Sequence, residues 1–279
     1  MINNNVILTI AIPFYNAEKY LAKAIDSVIW QTHQDFKLIL LDDGSTDSSL
    51  TIAQSYAAKD NRIIVVSDGE NKNLGFRLNQ IPYLVDTKYL ARMDADDIMH
   101  PEKIEKQIKI LIENQNIDVL GTNAYTINDI DEVVGIRVDP KDRNELIEVS
   151  GFIHPTIMAK TEWFKNNPYD IKAIRIEDAE LWYRTSKFNN FQILTEPLFY
   201  YREFNGGYYK KYLAAQKSKK YILSKYPKNS FWLKYYRKNF ISGKIYQFFN
   251  FFNKEYFLIN RRNEVVFKKK INYRELLKC

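Results

Sequence analysis

Short apolar runs that break off into polar, turn-forming loops recur along the first third of the chain, and this recurrence constrains the fold more than any other feature. The run VILTIAI (6–12) stops at PFYN, FKLILL (36–41) stops at DDGSTD, and KYLARM (88–93) leads into DADD. Each run is too short for a helix and is rich in aliphatic or β-branched residues, so it reads as a buried strand; RIIVVS (62–67) reads the same way. Between the strands the pattern becomes helical. Ala17, Tyr20, Leu21, Ala24, Ile25, Val28 and Ile29 form one apolar stripe with Asn16 placed to cap it, and DDGSTDSS can open a second helix. Pro101 opens a third, whose Ile104, Ile108, Leu111 and Ile112 are expected to share a face. Strands alternating with helices at this spacing predict an α/β fold with a mostly parallel central sheet flanked by helices. Ligands of such sheets sit beyond the carboxyl ends of the strands, so the three loops should converge on one edge. Farther on, DVLGTNAYTI, EVVGIRV and PLFYYR read as strands and IEDAELWYRTSKF as a helix.

The composition, 46% hydrophobic over 279 residues, allows a sizeable core and excludes a disordered chain. No run approaches the roughly 20 apolar residues of a membrane span, and no basic segment precedes the first apolar stretch, so neither a signal peptide nor a span is expected. The single cysteine, Cys279, excludes an internal disulfide and fits a reducing, cytoplasmic setting. Charge divides the chain sharply. Residues 201–279 hold 20 Lys and Arg against 4 Asp and Glu, while residues 1–200 hold 21 against 30. Of 41 aromatic residues, 21 fall in the last 79 positions. The expected organisation is a slightly acidic domain, 1–205, followed by a basic, aromatic, helical appendage, 206–279.

The three strand-end loops carry candidate chemistry. In DADD, Asp94 and Asp96 flank the small Ala95 and would point the same way in an extended segment. The pair reads either as an exposed acidic turn or as ligands for Mg²⁺ or Mn²⁺, ions commonly held by one or two carboxylates with a substrate diphosphate completing the shell. Asp42 and Asp43 open a turn, or accept hydrogen bonds from a nucleobase or ribose; Tyr15 reads as an exposed loop residue or as a ring that stacks on a base.

Five blocks, TIAIPFYNAEKYLAKAIDSVIWQT, LLDDGSTDSS, ENKNLGFRLNQ, YLARMDADDIMHPEKIEKQ and IEDAELWYR, occur in the order and at roughly the spacing of family 2 glycosyltransferases, which this chain resembles over residues 6–202. The resemblance implies a GT-A fold with a Rossmann-like, nucleotide-binding sheet. It implies an inverting enzyme, hexosyl- or N-acetylhexosaminyl-transferring, that uses a nucleotide-sugar donor, UDP-linked in the first place, with Mn²⁺ or Mg²⁺. By the same resemblance Pro13 and Tyr15 belong to the donor loop, and Asp43 is the base-binding carboxylate with Asp42 beside it. Asp96 is the principal metal ligand, and Asp94 faces ribose or the metal. Asp178 matches the catalytic base, a role compatible with capping its helix. Bacterial members imply surface polysaccharide or lipooligosaccharide synthesis, with a glycan or lipid-linked acceptor. Family members often carry a histidine just beyond the YYR strand; here the stretch reads YYREFNGG, with Phe204.

Inversion needs one carboxylate to take a proton from the acceptor hydroxyl while the nucleoside diphosphate departs from the opposite face. Glu177 and Glu180 flank Asp178, and so close a set of like charges should raise the proton affinity of the least solvated member. Either glutamate could orient the acceptor. His154 is a further candidate for the acceptor side, alongside a structural role.

Two aromatic stripes run through the appendage at helical spacing, one through Phe231, Trp232, Tyr235, Tyr236 and Phe240, the other through Ile245, Phe248, Phe249, Phe252 and Tyr256. They read either as packing against the catalytic domain or as an attachment to the inner face of an anionic membrane. Two other function classes fit less well. A Mg²⁺-dependent phosphohydrolase would place its aspartate motif after the first strand and would not carry Ile98 where this chain has it. A nucleic-acid module built on the basic tail leaves the N-terminal loops without a role, so no nucleic-acid partner is expected.

Overall fold

A computed structural model describes residues 6–138, 146–148, 151–203 and 207–276; Phe204, Cys279 and the domain boundary at 205/206 lie outside them. The chain opens with β1 (Leu8–Phe14), α1 (Leu21–Ile29), β2 (Lys37–Asp42), α2 (Ser49–Ala57), β3 (Ile63–Val66), α3 (Leu74–Gln80) and β4 (Tyr89–Arg92). All seven residues of β1 are buried, as befits a strand covered on both faces, and it pairs in parallel with β2 on one side and β4 on the other. With β3 parallel to β2, these four strands form the parallel half of the sheet and carry PFYN, DDGSTD and DADD to one edge.

The second half mixes directions. It contains β5 (Ile98–Met99), α4 (Lys103–Glu113), β6 (Val119–Ile127), β7 (Glu132–Arg137), β8 (Leu146–Glu148), β9 (Met158–Lys160), α5 (Thr161–Asn166), α6 (Glu177–Thr185) and β10 (Phe191–Arg202). β9 lies antiparallel between β4 and β6, while β10 runs parallel to β6 and antiparallel to β5 and β8. The main sheet path ends β6-β7 with a last strand from the C-terminus. This return to antiparallel pairing brings α6 round to the edge where the loops emerge.

Two local expectations change. Asn16 does not cap α1, which begins five residues later; it adopts a left-handed conformation (φ 47°) and its Oδ1 accepts the Thr46 amide at 2.8 Å, tying the first loop to the second. In α4, Ile104, Ile108 and Leu111 are buried, but Ile112, a further 100° round the helix, is 48% exposed.

After β10 come α7 (Tyr209–Ala214), α8 (Lys219–Lys225), α9 (Ser230–Phe251), α10 (Glu255–Asn260), β11 (Val265–Asn272) and α11 (Tyr273–Leu276). The appendage is helical to residue 260, then β11 pairs antiparallel with β7 and extends the catalytic sheet. Trp232 and Tyr236 pack in one cluster with Ala173, Ile176, Ala215 and Ile222, so part of the first aromatic stripe is core, whereas Phe231 and Phe240 remain exposed. Gly243 lets α9 approach α7 closely: a Cβ there would lie 2.7 Å from Leu213 Cδ2.

Candidate active site

At the parallel edge a cavity of about 660 Å³ opens between the first loop, the segment 71–77 and the start of α6. Pro13, Tyr15, Asp43, Arg77, Arg175 and Glu177 are among its walls, and Tyr15 is 49% exposed, its ring free to receive a planar group. Asp43 is buried and accepts three hydrogen bonds, from the Lys72 amide at 2.7 Å, the Asn73 amide at 3.1 Å and Arg77 Nε at 2.8 Å. Asn73 reaches its position with φ 70°, a conformation costly for a residue with a side chain. Arg77 in turn donates through both terminal nitrogens to Asp68, at 3.0 and 2.6 Å. Asp42 departs from the expected role. Its carboxylate accepts the Ser45 amide at 3.0 Å and the Ser67 hydroxyl at 2.8 Å, is buried and does not line the cavity, so it holds the turn together.

DADD folds as a turn, not as an extended segment, with the Asp97 amide donating to the Asp94 carbonyl. The turn gathers a third carboxylate: oxygens of Asp94, Asp96 and Asp97 lie within 4.8 Å of one another. Two buried arginines hold it. Arg92, at the end of β4, pairs with Asp94. Arg202, at the end of β10, donates its amide to Asp97 Oδ1 at 2.8 Å, its Nε to the Asp96 carbonyl at 2.7 Å and its Nη2 to Asp131 at 2.6 Å. Burial pushes the Asp97 carboxyl well up, and the charges of Asp96 and Asp94 add to this; burial and then Asp94 raise Asp96, which Lys211 on α7 partly offsets. Asp97 Oδ2 is buried with no hydrogen-bond partner among the described residues. An orphaned buried oxygen within a cluster of three hard oxygen donors fits a divalent cation such as Mg²⁺ or Mn²⁺.

The first turn of α6 closes the site. Asp178 Oδ1 accepts the Ala179 amide at 2.8 Å. Burial raises its pKa; that amide and the positive charge of Arg92 act against the rise, and the negative charge of Asp94 adds to it, so the carboxylate lies within electrostatic reach of the DADD turn. Glu177 lines the cavity beside Gly75, and burial raises it as well. Glu180 does not face the site. It is fully buried and accepts from Lys225 Nζ at 2.8 Å, Tyr226 OH at 2.6 Å and Arg184 Nε at 3.3 Å, anchoring α6 to α8 and leaving no free edge for an acceptor. His154 packs on Trp182 and pairs Nε2 with the Tyr169 hydroxyl at 2.8 Å; burial, and then Arg92, push its pKa well down, so it is a neutral group behind the Arg92 side chain. It is not part of the cavity wall.

Arg77, Arg92, Arg202 and Asp97 were not singled out by sequence. A signal for two of them exists: Arg92 closes the otherwise apolar strand YLAR and Arg202 closes the apolar run LFYY at the end of β10, positions at which a charge needs a buried partner.

The profile of glycosyl transferase family 2 matches residues 9–214. An uncharacterised glycosyltransferase of Methanocaldococcus jannaschii is 32% identical over 227 residues, 78% of each chain. Among solved structures, S. aureus TarS 1–349 in complex with UDP-GlcNAc superposes with a TM-score of 0.56 at 18% identity, over 76% of this chain and 66% of that one. A mannosyltransferase, PcManGT from Pyrobaculum calidifontis, in complex with GDP-Man and Mn²⁺, gives a TM-score of 0.59 at 12% identity, over 78% of this chain and 64% of that one.

Proposed function

The chain belongs to glycosyl transferase family 2, and on that premise we propose that it transfers a sugar, with inversion, from a UDP-linked donor to a hydroxyl of a glycan or lipid-linked acceptor. It is a glycosyltransferase with the GT-A fold. The observation that carries the finer reading is the first turn of α6, where Glu177 lines the cavity and its neighbour Asp178 feels the charges of Arg92 and Asp94 at the carboxylate turn, although Asp178 and that turn lie outside the cavity wall.

In this reading the nucleobase stacks on Tyr15 in the cavity beside Pro13, and Asp43, held in the cavity wall by Arg77, accepts its hydrogen bond, since every N–H of Arg77 is already taken within the protein. Asp94, Asp96 and Asp97 are the residues that would hold the cation, and a divalent ion bound there offsets negative charge on a departing diphosphate. Asp178 accepts the proton of the attacking hydroxyl. Its buried setting, which raises the carboxyl pKa, makes it a stronger base than an exposed aspartate. Glu177, beside it on the cavity wall, orients the acceptor. Inversion demands that Asp178 and the cation ligands act on opposite sides of the anomeric carbon.

UDP is preferred on the strength of the UDP-GlcNAc complex of a structural neighbour, and the GDP-Man complex of another keeps GDP as the second candidate. A place in surface polysaccharide or lipooligosaccharide synthesis, at the cytoplasmic face of the membrane, follows from the resemblance to bacterial members. Among the described residues no helix is long and apolar enough to cross a membrane. The reading is tested by thermal melts with UDP- and GDP-sugars in the presence of Mn²⁺ or Mg²⁺, because a ligand that binds the folded state raises its stability. A cation-dependent rise with one nucleotide class, accompanied by slow hydrolysis of that donor, is expected. No rise with any nucleotide sugar would overturn it.

A further inference from the structure

We infer that the outward face of α9 and α10 is a docking surface for an anionic lipid bilayer. From Tyr236 onward α9 presents two different sides. Its inner side, Tyr236, Gly243 and Tyr246, is buried, and the Tyr246 hydroxyl donates to the Leu258 carbonyl of α10 at 3.0 Å. The opposite side carries Ile241, Ile245, Phe248, Phe251 and Phe252, continued by Phe257 on α10, all exposed; Phe248 is 63% and Phe251 81% exposed. A helix face turned to water ordinarily carries polar residues, and a contiguous row of large apolar side chains marks a contact surface.

Charge identifies the occupant. Residues 204–254 contain 12 Lys and Arg and no Asp or Glu. Glu255 follows, but it is buried, with Oε1 accepting the Tyr209 amide at 2.7 Å, and presents no negative charge outward. Lys238, Lys244 and Lys254 are exposed between the apolar residues. Phe and Ile side chains can enter the boundary between headgroups and acyl chains while lysine stems run along it and their ammonium groups meet lipid phosphates. A second copy of the chain seated on this face would oppose cations to cations, and a nucleic acid would engage the lysines but leave the aliphatic and phenyl groups in water. An anionic bilayer satisfies both. Such docking would serve the lipid-linked member of the two acceptor classes proposed above, and it stands independently of the donor assignment.

The test is flotation of the full chain with vesicles of phosphatidylcholine alone and with about one third phosphatidylglycerol. The wild type is expected to float with the anionic vesicles only. A double variant, Phe248→Glu with Phe252→Glu, is expected to lose at least about tenfold in partitioning, because two rings leave the interface and two like charges enter it. Both positions are exposed, so its melting temperature should match the wild type. Lys238→Gln with Lys244→Gln should weaken binding and flatten its dependence on salt. Equal partitioning of wild type and the Glu variant, a lipid-free dimer abolished by the same substitutions, or binding to RNA in preference to vesicles would each overturn the inference.

Discussion

Arg77 and Asp43 form a buried ion pair in the wall of the cavity, Nε to Oδ1 at 2.8 Å, with the Arg77 side chain only 1% exposed. Two backbone amides complete the carboxylate's shell, so the pair fixes the segment 71–77 and presents it to the cavity in one conformation. Removing one partner leaves the other charge buried and uncompensated, a loss of about 3–5 kcal/mol. Arg77→Met is therefore expected to lower stability by that amount in urea denaturation and to abolish nucleotide binding in whatever fraction stays folded. A stable variant with unchanged UDP affinity would remove the pair from the site.

The DADD turn yields opposite effects on stability and on binding. Without a cation, Asp96 adds like charge beside the buried Asp97 and the half-buried Asp94, so Asp96→Ala should raise the melting temperature of the metal-free protein. With Mn²⁺, the same variant should lose more than about 100-fold in nucleotide affinity by calorimetry, beyond what loss of an outer-shell partner brings. Asp94→Ala should lose less, since Asp94 is shared with Arg92. Equal nucleotide affinity of the Asp96 variant and wild type in Mn²⁺ would exclude the metal role.

Lys103 gives a pH signature unrelated to catalysis. Its ammonium is fully buried on α4 with no hydrogen-bond partner among the described residues, and burial pushes its pKa down to about 7. The unfolded chain keeps this lysine protonated to about pH 10.4. Between these values the unfolded state binds more protons than the folded one, so the group makes stability rise with pH from about 7 upward. Lys103→Met, of similar length, should be more stable at pH 7 by about 1–3 kcal/mol and should lack that rise. Denaturant titrations at pH 7 and 9 check both; parallel curves for the two proteins would contradict the assignment.

The loops were legible in the sequence because strand-ending turns are local: PFYN, DDGSTD and DADD announce themselves by composition, and the parallel half of the sheet delivers them to one edge. Roles set by distant partners were not. Arg202 is 105 residues from the Asp97 carboxylate it supports, and nothing near either residue signals the pairing. Asp42 and Asp43 are neighbours in sequence, yet one is consumed by a turn and the other lines the cavity, because successive side chains leave a strand end on opposite sides. Glu180 lies one helical turn from Glu177 on α6 and is claimed by α8, an element whose position depends on the whole C-terminal packing. The two aromatic stripes share one periodicity, and Trp232 and Tyr236 become core only because Ala173, Ile176, Ala215 and Ile222 pack against them, while Phe248 and Phe252 stay exposed.

The most direct test of the account is the turnover of Asp178→Asn. Asparagine keeps the size of the side chain and an acceptor for the Ala179 amide, but it cannot take a proton. Using the nucleotide sugar that stabilises the protein, with hydrolysis by water or transfer to an acceptor as readout, kcat should fall by about 10²–10⁴, while nucleotide affinity and melting temperature stay near wild type. The wild-type kcat should rise with pH as the Asp178 carboxyl, its pKa raised by burial, gives up its proton, and that limb should vanish in the variant. A variant that turns over its donor at nearly the wild-type rate, with the same pH profile, would contradict Asp178 as the base and with it the proposed mechanism.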